Sequence, residues 1–173
     1  MNVDPRLGVD IGRVIIDGSA HPGGGDTAFF SGDEATMIAT PEMPDAFDTI
    51  ARLVDRFGGA VWLVSKCGPN TEARTRRWLD GHEFYARTGV DREHLRFCRL
   101  RPEKRDHCLA LGLTHFVDDH PKVHSAIKGA VRHQYMFGPQ ADPIPDYVVH
   151  APTWPDVERL IAATWQTEAD AAA

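Results

Sequence analysis

Cysteine is scarce in this sequence and arranged for no obvious purpose. Cys67, Cys98 and Cys108 make an odd count with no CxxC spacing. That excludes a disulfide scaffold and a zinc knuckle, and points to a reducing compartment. No apolar stretch approaches membrane-spanning length, and the opening residues Met1 to Arg6 carry no signal-peptide pattern, so a cytoplasmic chain with no membrane partner is expected. Basic excess is missing too: 25 acidic residues against 19 basic ones leave a formal net charge of −6. Nucleic acid is therefore not an expected partner, and the arginines between Arg74 and Arg105 read mostly as a solvated helix face and a loop. The nine histidines sit at no recognised ligand spacing, which argues against zinc. Internal repeats and low-complexity segments are also lacking.

What the sequence does contain is a repeated local event: an apolar run that stops abruptly on a carboxylate. Leu7-Gly8-Val9 ends at Asp10, turns at Gly12, and resumes as Val14-Ile15-Ile16. A carboxylate terminating a buried strand is costly unless a cation or hydrogen bonds receive it. In a parallel α/β sheet the carboxyl end of a strand is also where ligands bind. Far along the chain, Leu113-Thr114-His115-Phe116-Val117 runs into Asp118-Asp119 in the same way. Adjacent carboxylates repel, and more so beside Asp10; a divalent ion relieves the repulsion, and an oxygen-rich site suits magnesium. Between these lie Ala60 to Val64, a strand ending on Ser65 and Lys66, and Lys104, fourteen residues before Asp118.

Asp, then Ser and Lys, then Lys, then Asp-Asp, each against a strand end, resembles the haloacid dehalogenase-like (HAD) superfamily over roughly residues 7–137. Each motif alone is weak; their order and spacing together are fairly specific. The resemblance implies a magnesium-dependent phosphohydrolase acting on a phosphomonoester through an aspartyl-phosphate. On it, Asp10 is the nucleophile, with Ser65 and Lys104 completing the catalytic set. Ser65, Lys66 and Arg13 would bind substrate, and Asp10, the Gly12 carbonyl, Asp118 and Asp119 would hold Mg2+, with either or both of the last two serving. The family motif Asp-x-Asp-Gly-(Thr/Val) aligns with Asp10-Ile11-Gly12-Arg13-Val14, so its second Asp is replaced by Gly12. Losing a positioned general acid costs ~10²–10⁴-fold in rate. Asp17 and His120 are the candidate replacements, and Asp17 reads equally as a turn residue. Arg13 could instead pair with Asp17 or another carboxylate. Two other functions stay open: a non-catalytic binding protein on the same fold, and a C–halogen hydrolase, whose departing halide needs no acid.

Length and composition are those of one globular domain over 1–166, followed by a disordered tail over 167–173. Alternating strands and helices predict an α/β, three-layer, Rossmann-like parallel sheet flanked by helices, with a minimal cap or none. The superfamily's topology would set the first and fourth strands side by side. Residues 17–43 read as a loop or flap with short turns, in which Phe29-Phe30 and Met37-Ile38 could cover a cleft. Helices are expected from Pro44 to Phe57, from Asn70 or Thr71 (as cap) to Asp80, over Pro102 to Leu111, Lys122 to Lys128 and Pro155 to Trp165. Glu83 to Val90 reads as a connection, and His94 to Cys98 as a short edge strand. Val131 to Phe137 reads as a strand at the other edge, and Tyr147 to Val149 as a short strand. Homo-oligomerisation is left open.

Overall fold

The computed structural model describes residues 4–21 and 25–172, with the side chains of 166–172 left out. Six strands form one all-parallel sheet: β1 (Leu7–Val9), β2 (Val61–Lys66), β3 (Leu95–Cys98), β4 (His115–Asp118), β5 (His133–Phe137) and β6 (Val149–Ala151). Their spatial order is β3-β2-β1-β4-β5-β6. β1 therefore lies between β2 and β4, with Val9 opposite both Leu63 and Val117.

Side-chain alternation makes the sheet the middle of three layers. Leu7, Val9, Val61, Leu63 and Val117 point into one core, and Trp62, Val64 and Phe116 into the other. The larger layer is covered by α3 (Ala46–Arg56), α4 (Pro69–Gly81), α5 (Phe84–Thr88) and α8 (Trp154–Ala172). They contribute Phe47, Ile50 and Leu53, then Trp78 and Leu79, then Phe84, then Trp154, Val157 and Ile161. The smaller layer is covered by α6 (Lys104–Leu111) and α7 (Pro121–Ile127), through Cys108, Val123 and Ile127. Gly8 is required where it stands: a Cβ there would lie 2.5 Å from the Phe116 ring. No helix among the described residues is long and apolar enough to cross a membrane.

The Rossmann-like sheet and its first-to-fourth strand pairing match the sequence reading, while several local expectations are corrected. Among the described residues, the insertion at 17–43 holds a 3₁₀ turn at Gly18–Ala20 and two short helices, α1 (Asp26–Ser31) and α2 (Glu34–Ile38). Its ends are tied together by Met43 N–H to Ile15 O (2.7 Å) and Asp17 N–H to Pro41 O (2.9 Å). Two buried indoles hold the same region, Trp78 Nε1 donating to Thr40 O and Trp154 Nε1 to Val14 O. Met37 belongs to the core instead of covering a cleft. The connection at 83–90 contains α5, which starts and stops on left-handed residues, Glu83 and Gly89. α4 begins at Pro69 with Gly68 as its cap, so neither Asn70 nor Thr71 caps it. β5 is interior, because β6 pairs along it from Tyr135 to Phe137. β6 itself starts only at Val149. α8 runs from Trp154 to Ala172, and residue 173 lies outside the described residues.

Candidate active site

The two acid-terminated strands meet at the centre of the sheet. Asp10 N–H donates to Val117 O (2.9 Å), extending the β1–β4 ladder by one bond and setting Asp10 beside the end of β4. Both carboxylates then receive the same ammonium: Lys104 Nζ donates to Asp10 Oδ1 and to Asp118 Oδ2, each at 2.7 Å. Lys104 is the first residue of α6 and only 2% exposed, a position an unpaired lysine would not hold. Asp118 Oδ1 accepts the His120 N–H (2.9 Å), and the Asp118 carbonyl accepts from His124 Nε2 (2.9 Å). The acid is thus held from three sides.

Asp10, Asp118 and Asp119 each offer an oxygen within 4.8 Å of the others. With all three carboxylates ionised, one ammonium leaves two negative charges, and burial works against holding them. Burial pushes Asp10 up to about 7; Lys104 opposes the rise, while Asp118 and Asp119 add to it. Burial, then the charge of Asp118, raises Asp119 to about 6 against Arg13 and Lys104. For Lys104, burial alone would lower the ammonium, but Asp10 and Asp118 outweigh it and the net direction is up. An oxygen-only donor set with two uncompensated charges fits a hard divalent cation such as Mg2+.

A cavity of about 440 Å³ opens onto these groups. Every residue predicted for the site lines it: Asp10, Gly12, Arg13, Ser65, Lys66, Lys104, Asp118 and Asp119. Ser65 is buried near the end of β2 and Lys66 is exposed at its last position. At Gly12 no atom lies within 4 Å of where a Cβ would stand, and the backbone there is not left-handed. Arg13 is left-handed (φ 62°) and reaches out to Asp26, with Nε and Nη2 both donating to Oδ2 at 3.0 and 2.6 Å.

Of the two replacement acids, His120 lines the cavity and Asp17 does not. The His120 Nδ1 accepts the Lys122 N–H (3.1 Å), which leaves the ring proton on Nε2, and burial together with Arg101 lowers its pKa. Asp17 accepts from Ser19 Oγ and from the Ala20 N–H, capping the 3₁₀ turn. Phe29 and Phe30 do reach the cavity, as their place in the insertion suggested. Cys67 is also there, and burial pushes its thiol up to about 11, away from the thiolate form.

Sequence reading missed Arg101, Asp26, Thr71 and Thr75, which also line the cavity. Arg101 had a usable signal, since it lies one turn before Lys104. Asp26, Thr71 and Thr75 had none, because each depends on where its helix, α1 or α4, docks. No protein-family model matches the chain, and no curated protein matches it.

Proposed function

We propose that this chain is a Mg2+-dependent phosphohydrolase of the HAD-like type, acting on a phosphomonoester through an aspartyl-phosphate at Asp10. The observation that carries the reading is the pair of carboxylates at adjacent strand ends, Asp10 and Asp118, bridged by one buried lysine at 2.7 Å to each. In the first step an Asp10 oxygen bonds to phosphorus while the bond to the leaving alcohol oxygen breaks, and that oxygen takes up a proton from solvent water. In the second, water adds to the phosphorus of the aspartyl-phosphate, releasing phosphate and restoring Asp10. Lys104 orients Asp10, and Ser65 and Lys66 offer donors to the phosphoryl oxygens. A Mg2+ ion held by Asp10, Asp118, Asp119 and the Gly12 carbonyl would neutralise charge on those oxygens.

Gly12 sets the expected rate. With no side chain two residues past Asp10, the leaving oxygen finds no carboxylic acid there, and turnover is expected to be slow except with leaving groups that are weak bases. The same feature favours a second reading, a site that binds a phosphorylated ligand without turning it over. Hydrolysis of an activated aryl phosphate with Mg2+, by wild type and Asp10→Asn, separates them. Turnover lost in Asp10→Asn supports the phosphohydrolase, no turnover in either supports the binding protein, and equal turnover in both contradicts the aspartyl-phosphate. On either reading the partner is a phosphorylated small molecule, encountered in the cytoplasm.

A further inference from the structure

Besides the acids and cations, the cavity is lined by two aromatic rings, Phe29 and Phe30. Resting on the reading above, we infer that the substrate's leaving group is an uncharged planar ring, aryl or nucleobase-bearing, held against Phe30.

Phe30 is 50% exposed, one of few large apolar side chains left so, and it lines the cavity that holds Asp10. Single exposed apolar residues are ordinary on a protein surface. This one differs in how firmly its support is built. Phe30 sits on α1, and α1 is tied at both ends. Arg13 holds Asp26 at the first turn, and the Arg74 guanidinium donates to Phe29 O (2.6 Å) and to Gly32 O at the last. Phe29 is buried and meets Phe30 edge-on, with ring centroids 5.6 Å apart. The helix that carries Phe30 is therefore held in place, and the ring's exposed surface would gain both burial and ring–ring contact from a planar group.

Two further observations narrow the class. The open space beside Gly12 leaves room between Asp10 and the rim. About 440 Å³ also falls within the range of small-molecule pockets, which runs from roughly 300 to 1,000 Å³. Among the described residues, the cations lining the cavity without a carboxylate partner are Lys66 and Arg101; Arg13 and Lys104 are paired. Two monocations match one phosphoryl dianion and leave none for a second phosphate or carboxylate. The inferred substrate is a monoester of a neutral, ring-bearing alcohol.

The test compares binding of phenylphosphonate and methylphosphonate, neither of which can be hydrolysed, by calorimetry in the presence of Mg2+. Wild type should prefer the phenyl compound by about tenfold or more. Phe30→Ala, on an exposed position where folding is not at risk, should bring the ratio close to one, and Phe30→Trp should keep it. Equal binding of the two by wild type, or an unchanged ratio in Phe30→Ala, overturns the ring platform and leaves the phosphohydrolase standing. Binding of neither compound removes the phosphoryl site itself, and this inference with it. Turnover of phenyl phosphate, of nucleoside 5′-monophosphates and of glycerol phosphate then separates the two ring sources, and a preference for glycerol phosphate overturns both.

Discussion

Replacing Lys104 by methionine removes the charge while keeping most of the buried stem. Asp10 and Asp118 would then face each other and Asp119 with no ammonium between them. Breaking a buried ion pair from one side costs roughly 3–5 kcal/mol, because the remaining charge is neither solvated nor paired. Lys104 serves two such partners at 2.7 Å each, so the upper part of that range is expected at pH 8 without divalent ions. The deficit should also depend on pH. Burial already raises Asp10 from 3.8 to about 7 with the lysine in place, and without it the rise must be larger. A carboxyl raised in the folded state contributes stability that is complete below its unfolded value, near 3.8, and is lost as pH rises through its folded value. Each pH unit in that window is worth up to about 1.4 kcal/mol per proton. Wild-type Asp10 also takes up its proton near pH 7, so the two proteins diverge only above that value, and the deficit at pH 5 should be about 1 kcal/mol smaller than at pH 8. Urea unfolding of wild type and Lys104→Met at pH 5 and pH 8, followed by the fluorescence of buried Trp78 and Trp154, measures both numbers. A deficit that is equal at the two pH values, or below about 1 kcal/mol at pH 8, would refute the reasoning.

Three further outcomes follow from the same geometry. Because protons compete with a cation for Asp10 (about 7) and Asp119 (about 6), Mg2+ affinity by calorimetry should rise by about tenfold or more from pH 5.5 to pH 8, and a flat profile contradicts the site. Gly12→Asp should fold normally, since nothing lies within 4 Å of its Cβ, and should raise kcat on an alkyl phosphate by about 10²-fold in steady-state assays; no gain means that more than the acid is missing. His115 lies buried between the rings of Phe57 and His133, and burial lowers its pKa from 6.5 to about 3. Stability it contributes is therefore lost as pH falls from about 6.5 towards 3. His115→Gln should abolish about 2 kcal/mol of the loss seen between pH 7 and pH 5 in urea melts.

The parts of the fold that were legible in the sequence are those with a long local signature. The run into Asp10, the run into Asp118-Asp119, and the Phe47-Ile50-Leu53-Val54 face of α3 each repeat a pattern over enough residues to be read. α5 was missed because five residues between two left-handed positions carry no period. β5 was put at an edge because its alternation suggested one wet face, yet Gln134 is buried there and β6 adds a further strand. Lys104 was legible only through the superfamily resemblance, since nothing near it in the chain announces two carboxylates 94 and 14 residues away. The aromatic side of the cavity was half legible: Phe29-Phe30 stood out, but the two arginines that fix their helix act through tertiary contacts.

The account rests most directly on the carboxylates of β1 and β4 sharing one divalent ion. Crystals grown with Mn2+ and measured at a wavelength where manganese scatters anomalously test that claim in one map. The prediction is a single strong peak in contact with Asp10, Asp118 and Asp119, absent in Asp118→Asn. A map with no peak there, or with the ion elsewhere while Lys104 alone bridges the two acids, would contradict it.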